Sequence, residues 1–519
     1  MQKKYLSLAE DKPGNIAFDH LIRRIMNLYK LSYLLACVPL IAGTGYFAAI
    51  SADNQTPTVS KIYSDRSLPY RVKLKIADFE LPVGVQSYIH AIYKDKWLII
   101  TGREGGLHGF VSNSTNNFPV NEQNTNVFVI DPIKKKTYVR SLLDPSSGLT
   151  QEQVDLLSVT AAQGYQSGKT LYITGGYGVD TSTGELDTKN ALSAIDVPGL
   201  IHWVINPYEG ETAAEHIRQI FDDLFKVTGG YMHKTGNNPT LLIMGHEFDG
   251  FYADPMQSPP VFQQYTEQVR RFHIHDDGVN LSFTAEDSLP IVPYPDYRRR
   301  DLNVVPVVKW ENHKLQNSFA VLSGVFTLSV GVWTVPVEVT ADGFPYEADP
   351  NLTSTFKQGM NNYDCATFGM FSEKTGDMYT LLLGGMTFGY YQESSNGLEF
   401  VTDPEIPFTS QTTTVKIDKK GRYTQHFMKD GGFPFIPNGV ISNPGPLYFG
   451  SECEVFLLNK VPKYCNDIIK LDSIKKPTRI GYVVGGIQST LLNTNTQADS
   501  APSRYIFEVI VEPTCHHSH

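Results

Sequence analysis

One pattern of apolar and polar positions recurs along the chain: a strand of small and apolar residues, a short polar turn, then a more continuously apolar strand running into glycine. It reads YIHAIYKDKWLIITG at residues 88–102, VTAAQGYQSGKTLYITGG at 159–176 and VTGGYMHKTGNNPTLLIMG at 227–245. It returns as VVPVVKWENHKLQNSFAVLSG at 304–324 and CATFGMFSEKTGDMYTLLLGG at 365–385. A looser copy is CEVFLLN at 453–459 with TRIGYVVGG at 478–486. Five copies are followed, after a variable loop, by a second hairpin: residues 126–142, 191–205, 268–285, 333–348 and 412–428. Asp-Gly, Asp-Pro and Lys-Lys-Gly supply the turn chemistry a hairpin needs. Four strands per copy, six times over, predict an all-β chain folded as a six-bladed β-propeller. The last copy offers only one strand after its glycines, at 504–511, so residues 69–81 are expected to complete it and close the ring. Seven blades are the alternative, because 101 residues separate Gly384 from Gly485 and could hold a degenerate blade near LYFG at 447–450.

Composition agrees with this pattern. The 519 residues are 41% hydrophobic, which excludes wholesale disorder, and 42 Gly with 31 Pro provide many turns. Net charge is −10 with no run of five like charges, so a nucleic-acid partner is excluded.

The strands ending in Gly175-Gly176, Gly384-Gly385 and Gly485-Gly486 resemble the kelch repeat family. Asp131 with Tyr138, and Asp196 with Trp203, fall near that family's later Asp and aromatic positions. The resemblance spans residues 69–513 and implies a propeller. It departs where His246 and Val325 replace the second glycine and where Arg103 follows the first glycine of the first copy. The marker glycines at 102, 175, 245, 324, 384 and 485 lie 60 to 101 residues apart, against about 50 in kelch proteins. Some kelch-like propellers are copper oxidases or sialic-acid mutarotases; their catalytic residues do not match position by position, and none is carried over.

Residues 31–52 carry no charge and follow Arg23, Arg24 and Lys30. This pattern predicts export. Residues 1–52 form a cleavable signal peptide, with Met26 an alternative start, or a retained signal anchor; Leu34-Leu35-Ala36-Cys37 is a weaker lipobox-like alternative. The body is expected outside the cytoplasm, secreted, periplasmic or at the cell surface, touching membrane only through residues 31–52 if these are retained. Residues 53–68 read as a linker and 514–519 as a His-rich tail without a role. Cys453 and Cys465 flank an expected hairpin with Val461-Pro462 near its tip and are a candidate disulfide, two buried free thiols being the alternative.

The longest connections, about 103–125, 177–190, 246–264, 386–411 and 487–503, all join the second strand of a copy to the third. In a propeller these share one rim and build a cup around the axis. The ligand-binding candidates in them are Arg103, Glu104, Tyr177, Asp180, His246, Glu247, Asp249, Tyr252, Met386, Tyr390, Tyr391 and Gln488. Aromatic faces beside Arg, Asp and Glu suit sugars or extended peptides. The alternative for any one residue is that it packs its loop onto the body. His246-Glu247-x-Asp249 lacks the two-histidine helical spacing of a zinc protease, and His273, His275 and Asp276-Asp277-Gly278 read as turn chemistry. No metal, cofactor or catalytic residue is assigned. The expected function is therefore a monomeric, exported propeller that binds a protein or glycan without covalent chemistry. Two alternatives stand: a carbohydrate-active enzyme, mutarotase- or oxidase-like, with its site in the same cup, and a structural envelope protein that docks a partner. Tight convergence of carboxylate, His and Arg at the axis would favour the enzyme.

Overall fold

The computed structural model describes residues 59–109, 117–252, 262–311, 314–328, 331–494 and 497–514. The expected leader or anchor and residues 515–519 of the tail lie outside them. Among the described residues no helix is long and apolar enough to cross a membrane.

The described residues are all-β in a propeller-like arrangement, with six sheets built on four antiparallel strands each among them and smaller sheets between. The first sheet runs Ile89–Tyr93, Lys96–Ile100, Asn126–Asp131, Lys136–Ser141, each strand beside the next. Its first hairpin is tight because Lys94 and Asp95 both take left-handed backbone (φ 47° and 62°), the twist that two-residue hairpin loops require. The other sheets begin with Gln163–Ser167, Tyr231–Lys234, Val304–Glu311, Ala366–Ser372 and Glu454–Leu457, and all six of these first strands line one cavity of about 310 Å³. In the sixth sheet the outermost strand is Tyr70–Ile76, paired antiparallel with Ile506–Pro513 from Tyr70 opposite Pro513 to Ile76 opposite Phe507. Its alternation explains the placement: Tyr70, Val72 and Leu74 are buried, while Arg71, Lys73 and Lys75 face water and keep the outer edge charged.

The second strand of each sheet is apolar on both faces because each face packs on a different neighbour. In Lys96–Ile100, Trp97 and Ile99 join a cluster with Phe456 and Val484 of the sixth sheet. Leu98 and Ile100 join Leu171 and Ile173 of the second. Comparable apolar clusters link the second sheet to the third, third to fourth, fourth to fifth and fifth to sixth. The paired glycines mark these junctions. A Cβ on Gly175 would sit 1.9 Å from the carbonyl oxygen of Val227, and Gly176 receives that same carbonyl on its N–H. Gly485 and Gly486 meet Val85 in the same way, joining the sixth sheet to the first.

Several expectations are corrected. The second hairpin of the second copy is absent: Asp196 caps a helix, Val197–Ile205, whose Pro198 suits its first turn, and the outer strand is Ile217–Phe221. Trp203 therefore lies on a helix and not at a kelch strand position. Within the stretch read as a linker, Ile62–Ser64 adds a parallel strand outside Tyr423–Met428 of the fifth sheet. Near the proposed seventh blade, Tyr448–Ser451 joins Ile487–Ser489 and Ser500–Pro502 in a three-stranded sheet, so no seventh four-stranded unit stands there among the described residues. The disulfide loses its hairpin, since the strand after Cys453 pairs with Thr478–Val484 and residues 458–477 form an insert. Cys453 is a buried free thiol, and the side chain of Cys465 is outside the described ones.

Candidate functional site

Each sheet brings three equivalent positions to one end of the axial cavity. The residue after the last marker glycine is Arg103, Tyr177, His246, Val325, Met386 or Ile487. Each of these sits in a β-bridge or strand pairing beside a residue just ahead of a first strand: Gln86, Thr160, Thr228, Arg300, Tyr363 and Ser451. All twelve line a cup cavity of about 120 Å³. One residue further on come Ser87, Ala161, Gly229, Asp301, Asp364 and Glu452, all in left-handed backbone with φ between 47° and 63°. Backbone bonds tie several of them to their neighbours: Ser87 N–H to Glu452 O, Gly229 N–H to Ala161 O, Asp301 N–H to Gly229 O and Glu452 N–H to Asp364 O, at 2.8–3.1 Å. Ser87, Ala161, Asp301 and Glu452 line both the cup and the 310 Å³ channel beneath it, so this third set forms the neck between them.

Charge is concentrated at the floor of the cup. Arg103 is 2% exposed, pairs with Glu122 at 2.6 Å and lies over the Phe118 ring. The Arg300 guanidinium reaches three groups: Asp301 at 3.4 Å, Nε2 of His246 at 3.3 Å and the Tyr252 hydroxyl at 3.4 Å. Burial, reinforced by Arg300 and Arg298, keeps the His246 imidazole well below its ordinary range and therefore neutral. At the neck, burial pushes Asp301 up to about 6, with Arg300 opposing and Asp364 adding to the rise. Burial also raises Asp364 and Glu452, which are hydrogen-bonded to each other and so hold a proton between them. The Ser87 hydroxyl donates to Glu452. Aromatic contacts wall one side, with His108 and Phe248 each against Tyr252, and Phe118 against Tyr177. Among the described residues no set of three or more His, Cys, Asp or Glu is arranged to hold a metal ion.

Five of the twelve candidates line the cup: Arg103, Tyr177, His246, Tyr252 and Met386. The rest do not. Glu104 accepts a hydrogen bond from Asn126, and Asp180 caps the turn of its own hairpin through Ser182. Glu247 and Asp249 hold Lys226 at 2.7 and 2.8 Å. Tyr391 stacks on Phe427 at 4.4 Å, and its neighbour Tyr390 lies in the same hairpin, Gly389–Ser394 with Gly397–Thr402. Gln488 sits one residue past Ile487, the position that faces the cup. The stretches after Tyr177, His246, Met386 and Ile487 each run into a short antiparallel pairing, and there Asp180, Glu247, Asp249, Tyr390, Tyr391 and Gln488 lie outside the set of residues that lines the cup. The residues that sequence reasoning missed, Arg300, Tyr363 and the neck acids, all precede first strands. Aligning the copies there would have set Asp301, Asp364 and Glu452 in one column.

No protein-family model matches the chain, and no curated protein matches it. Among solved structures, one described as the structure of YjhT resembles it over 83% of this chain and 98% of its own, at 10% identity and a TM-score of 0.40. A likeness at that level carries no functional argument.

Proposed function

We propose that the chain is a six-bladed β-propeller of the kelch type whose cup binds a sugar-sized polar ligand. The observation that carries this is the convergence of Arg103, His246 and Arg300 with the neck acids on an aromatic-walled cavity of about 120 Å³. That volume lies below the roughly 300–1,000 Å³ of drug-sized pockets, and it suits one ring of a glycan better than a protein segment. Guanidinium and carboxylate groups give directed bonds to hydroxyls, while the rings of Tyr177, Tyr252 and Phe248 offer apolar faces. The six-bladed count is supported by six sheets, six inter-sheet clusters that include one from the sixth back to the first, and the bonded neck positions. Export is part of the reading, resting on uncharged residues 31–52 behind three basic residues; N-terminal sequencing of the mature protein checks it.

The test is saturation-transfer NMR of the protein with neutral, amino and acidic monosaccharides. Saturation of the protons of one sugar class is expected; no transfer to any of them would remove the reading.

A second reading, acid–base chemistry on the bound sugar, is favoured by that same convergence of carboxylate, histidine and guanidinium, with the Asp301 carboxylate 3.4 Å from Arg300 and raised by burial to about 6. A carboxyl group tuned toward neutral pH can take a proton from an anomeric hydroxyl and return one to the ring oxygen. Accelerated anomer interconversion by the wild type, lost in Asp301→Asn with binding retained, would select this reading over plain binding.

A further inference from the structure

The residues that line the cup stand just ahead of the first strands, so each first strand runs away from it. With antiparallel neighbours, the connections from first to second strand and from third to fourth gather at the opposite end. Charge is unevenly divided there. The fifth, sixth and first sheets are consecutive through their shared clusters. Among the described side chains their connections carry eleven exposed Lys or Arg, with runs at Lys134–Lys136, Lys419–Lys420 and Lys475–Lys476, against three exposed acids, Asp95, Glu373 and Asp467. On the second, third and fourth sheets the balance reverses: Lys169 and Lys314 stand against Glu209, Glu215, Asp277 and Asp342. Lys419, Lys420, Lys475 and Lys476 form no ion pair among the described residues. The chain as a whole carries −10, so this basic sector is set apart from the bulk of its acids. At physiological salt, screening over about 8 Å means that a partner at this end meets mainly these lysines.

An aliphatic side chain projects from the middle of the sector. Ile133, beside Lys134 at the tip of the turn between Asn126–Asp131 and Lys136–Ser141, is 76% exposed. It also lines a cleft of about 910 Å³ between the sixth and first sheets, with Ile76, Phe79, Leu458 and Lys460. Water disfavours an aliphatic tip, whereas a bilayer interface takes it up while flanking lysines reach the lipid phosphates. An acidic polysaccharide would engage the lysines and leave Ile133 in water.

We propose that the end of the fifth, sixth and first sheets opposite the cup docks on an anionic lipid bilayer. Ile133 enters the headgroup region, the lysines pair with lipid phosphates, and the cup opens away from the bilayer. The contact depends neither on residues 31–52 nor on what the cup binds.

The experiment measures sedimentation of the full chain with vesicles of phosphatidylcholine, alone or mixed with phosphatidylglycerol at about three to one. Insertion through residues 31–52 raises both partition constants, so their ratio, compared between variants, reads the charged contact. Wild type should prefer the anionic vesicles at least roughly tenfold. Lys419→Glu/Lys420→Glu and Lys475→Glu/Lys476→Glu should each cut that ratio by about fivefold or more. The two pairs lie on separate connections, so either decides if the other does not fold. Lys429→Glu, at the cup end of the fifth sheet's Tyr423–Met428 strand, should change the ratio by less than about twofold. Ile133→Asn should weaken partition onto the mixed vesicles about threefold. Three results would each overturn the docking face: a ratio unchanged in the folded double variants, an equal loss in Lys429→Glu, or wild-type partition in Ile133→Asn. Capture on polygalacturonate beads with no preference for anionic vesicles would assign the lysines to an acidic polysaccharide and overturn it too. None of these results bears on sugar binding in the cup.

Discussion

Arg300 and His246, from different sheets, meet with Nη1 3.3 Å from Nε2. A guanidinium can only donate, so Nε2 accepts and the proton of the neutral ring sits on Nδ1. Gln263 Nε2 is placed 2.9 Å from Nδ1; two N–H groups cannot bond each other, so the amide is turned over, with its oxygen accepting from Nδ1–H. His246 thus fixes one arm of a buried cation at the cup floor. Replacing it by Phe leaves that donor without an acceptor at a cost of about 1–3 kcal/mol. His246→Gln, whose amide oxygen can accept, should recover part of this. Denaturant unfolding of the two variants checks the order.

The pH dependence at the neck has a definite sign. Burial raises Asp301 to about 6 in the folded chain, against about 3.9 when unfolded. The folded state therefore holds its proton more tightly, and stability falls as pH rises from about 4 to about 6. Asp301→Asn removes that dependence. With the side chain 27% accessible from the cavity, water screening trims the gain to about 1–2 kcal/mol. The variant should be more stable than wild type at pH 7 and should converge with it near pH 4, as followed by urea melts at both values.

Completion of the sixth sheet by the N-terminal strand makes Leu74 part of the core although it lies over 400 residues from its partner Val509. Leu74→Ala should cost about 2–4 kcal/mol. Lys73→Ala, on the solvent side, should cost under about 1 kcal/mol. A loss at Leu74 no larger than that at Lys73 would count against the pairing.

The helix that replaces an expected strand predicts its own sensitivity. The Asp196 carboxylate accepts from the Gly199 N–H at 3.1 Å. Asp196→Ala should lose about 1 kcal/mol, and Asp196→Asn much less. A strand at 197–205 would show no such preference in thermal melts.

The repeat was legible because second strands that pack on both faces carry unbroken apolar runs such as Trp97–Ile100, and because close backbone contact demands the glycines at 175–176 and 485–486. The same register located Arg103, Tyr177, His246 and Met386, whose positions follow directly from those glycines. It failed at Glu247, Asp249 and Tyr391, since composition alone does not tell that a long loop will fold back as a hairpin and give its charges to Lys226 or its ring to Phe427. The helix at 197–205 was visible in Asp196 and Pro198, but the strand period of the neighbouring copies overrode that cap signal. The neck acids were hidden because each stands alone in its own copy, and only the packing of their sheets around one cavity brings Asp301, Asp364 and Glu452 together.

The most direct measurement is calorimetric titration of the sugar class identified by NMR into wild type, Arg300→Met and Glu247→Ala. With the site at the cup floor, Arg300→Met weakens binding at least tenfold, the loss of one or more charged hydrogen bonds, while Glu247→Ala binds like wild type. The opposite ranking, or binding untouched by Arg300→Met, would contradict a ligand held at the floor of the cup.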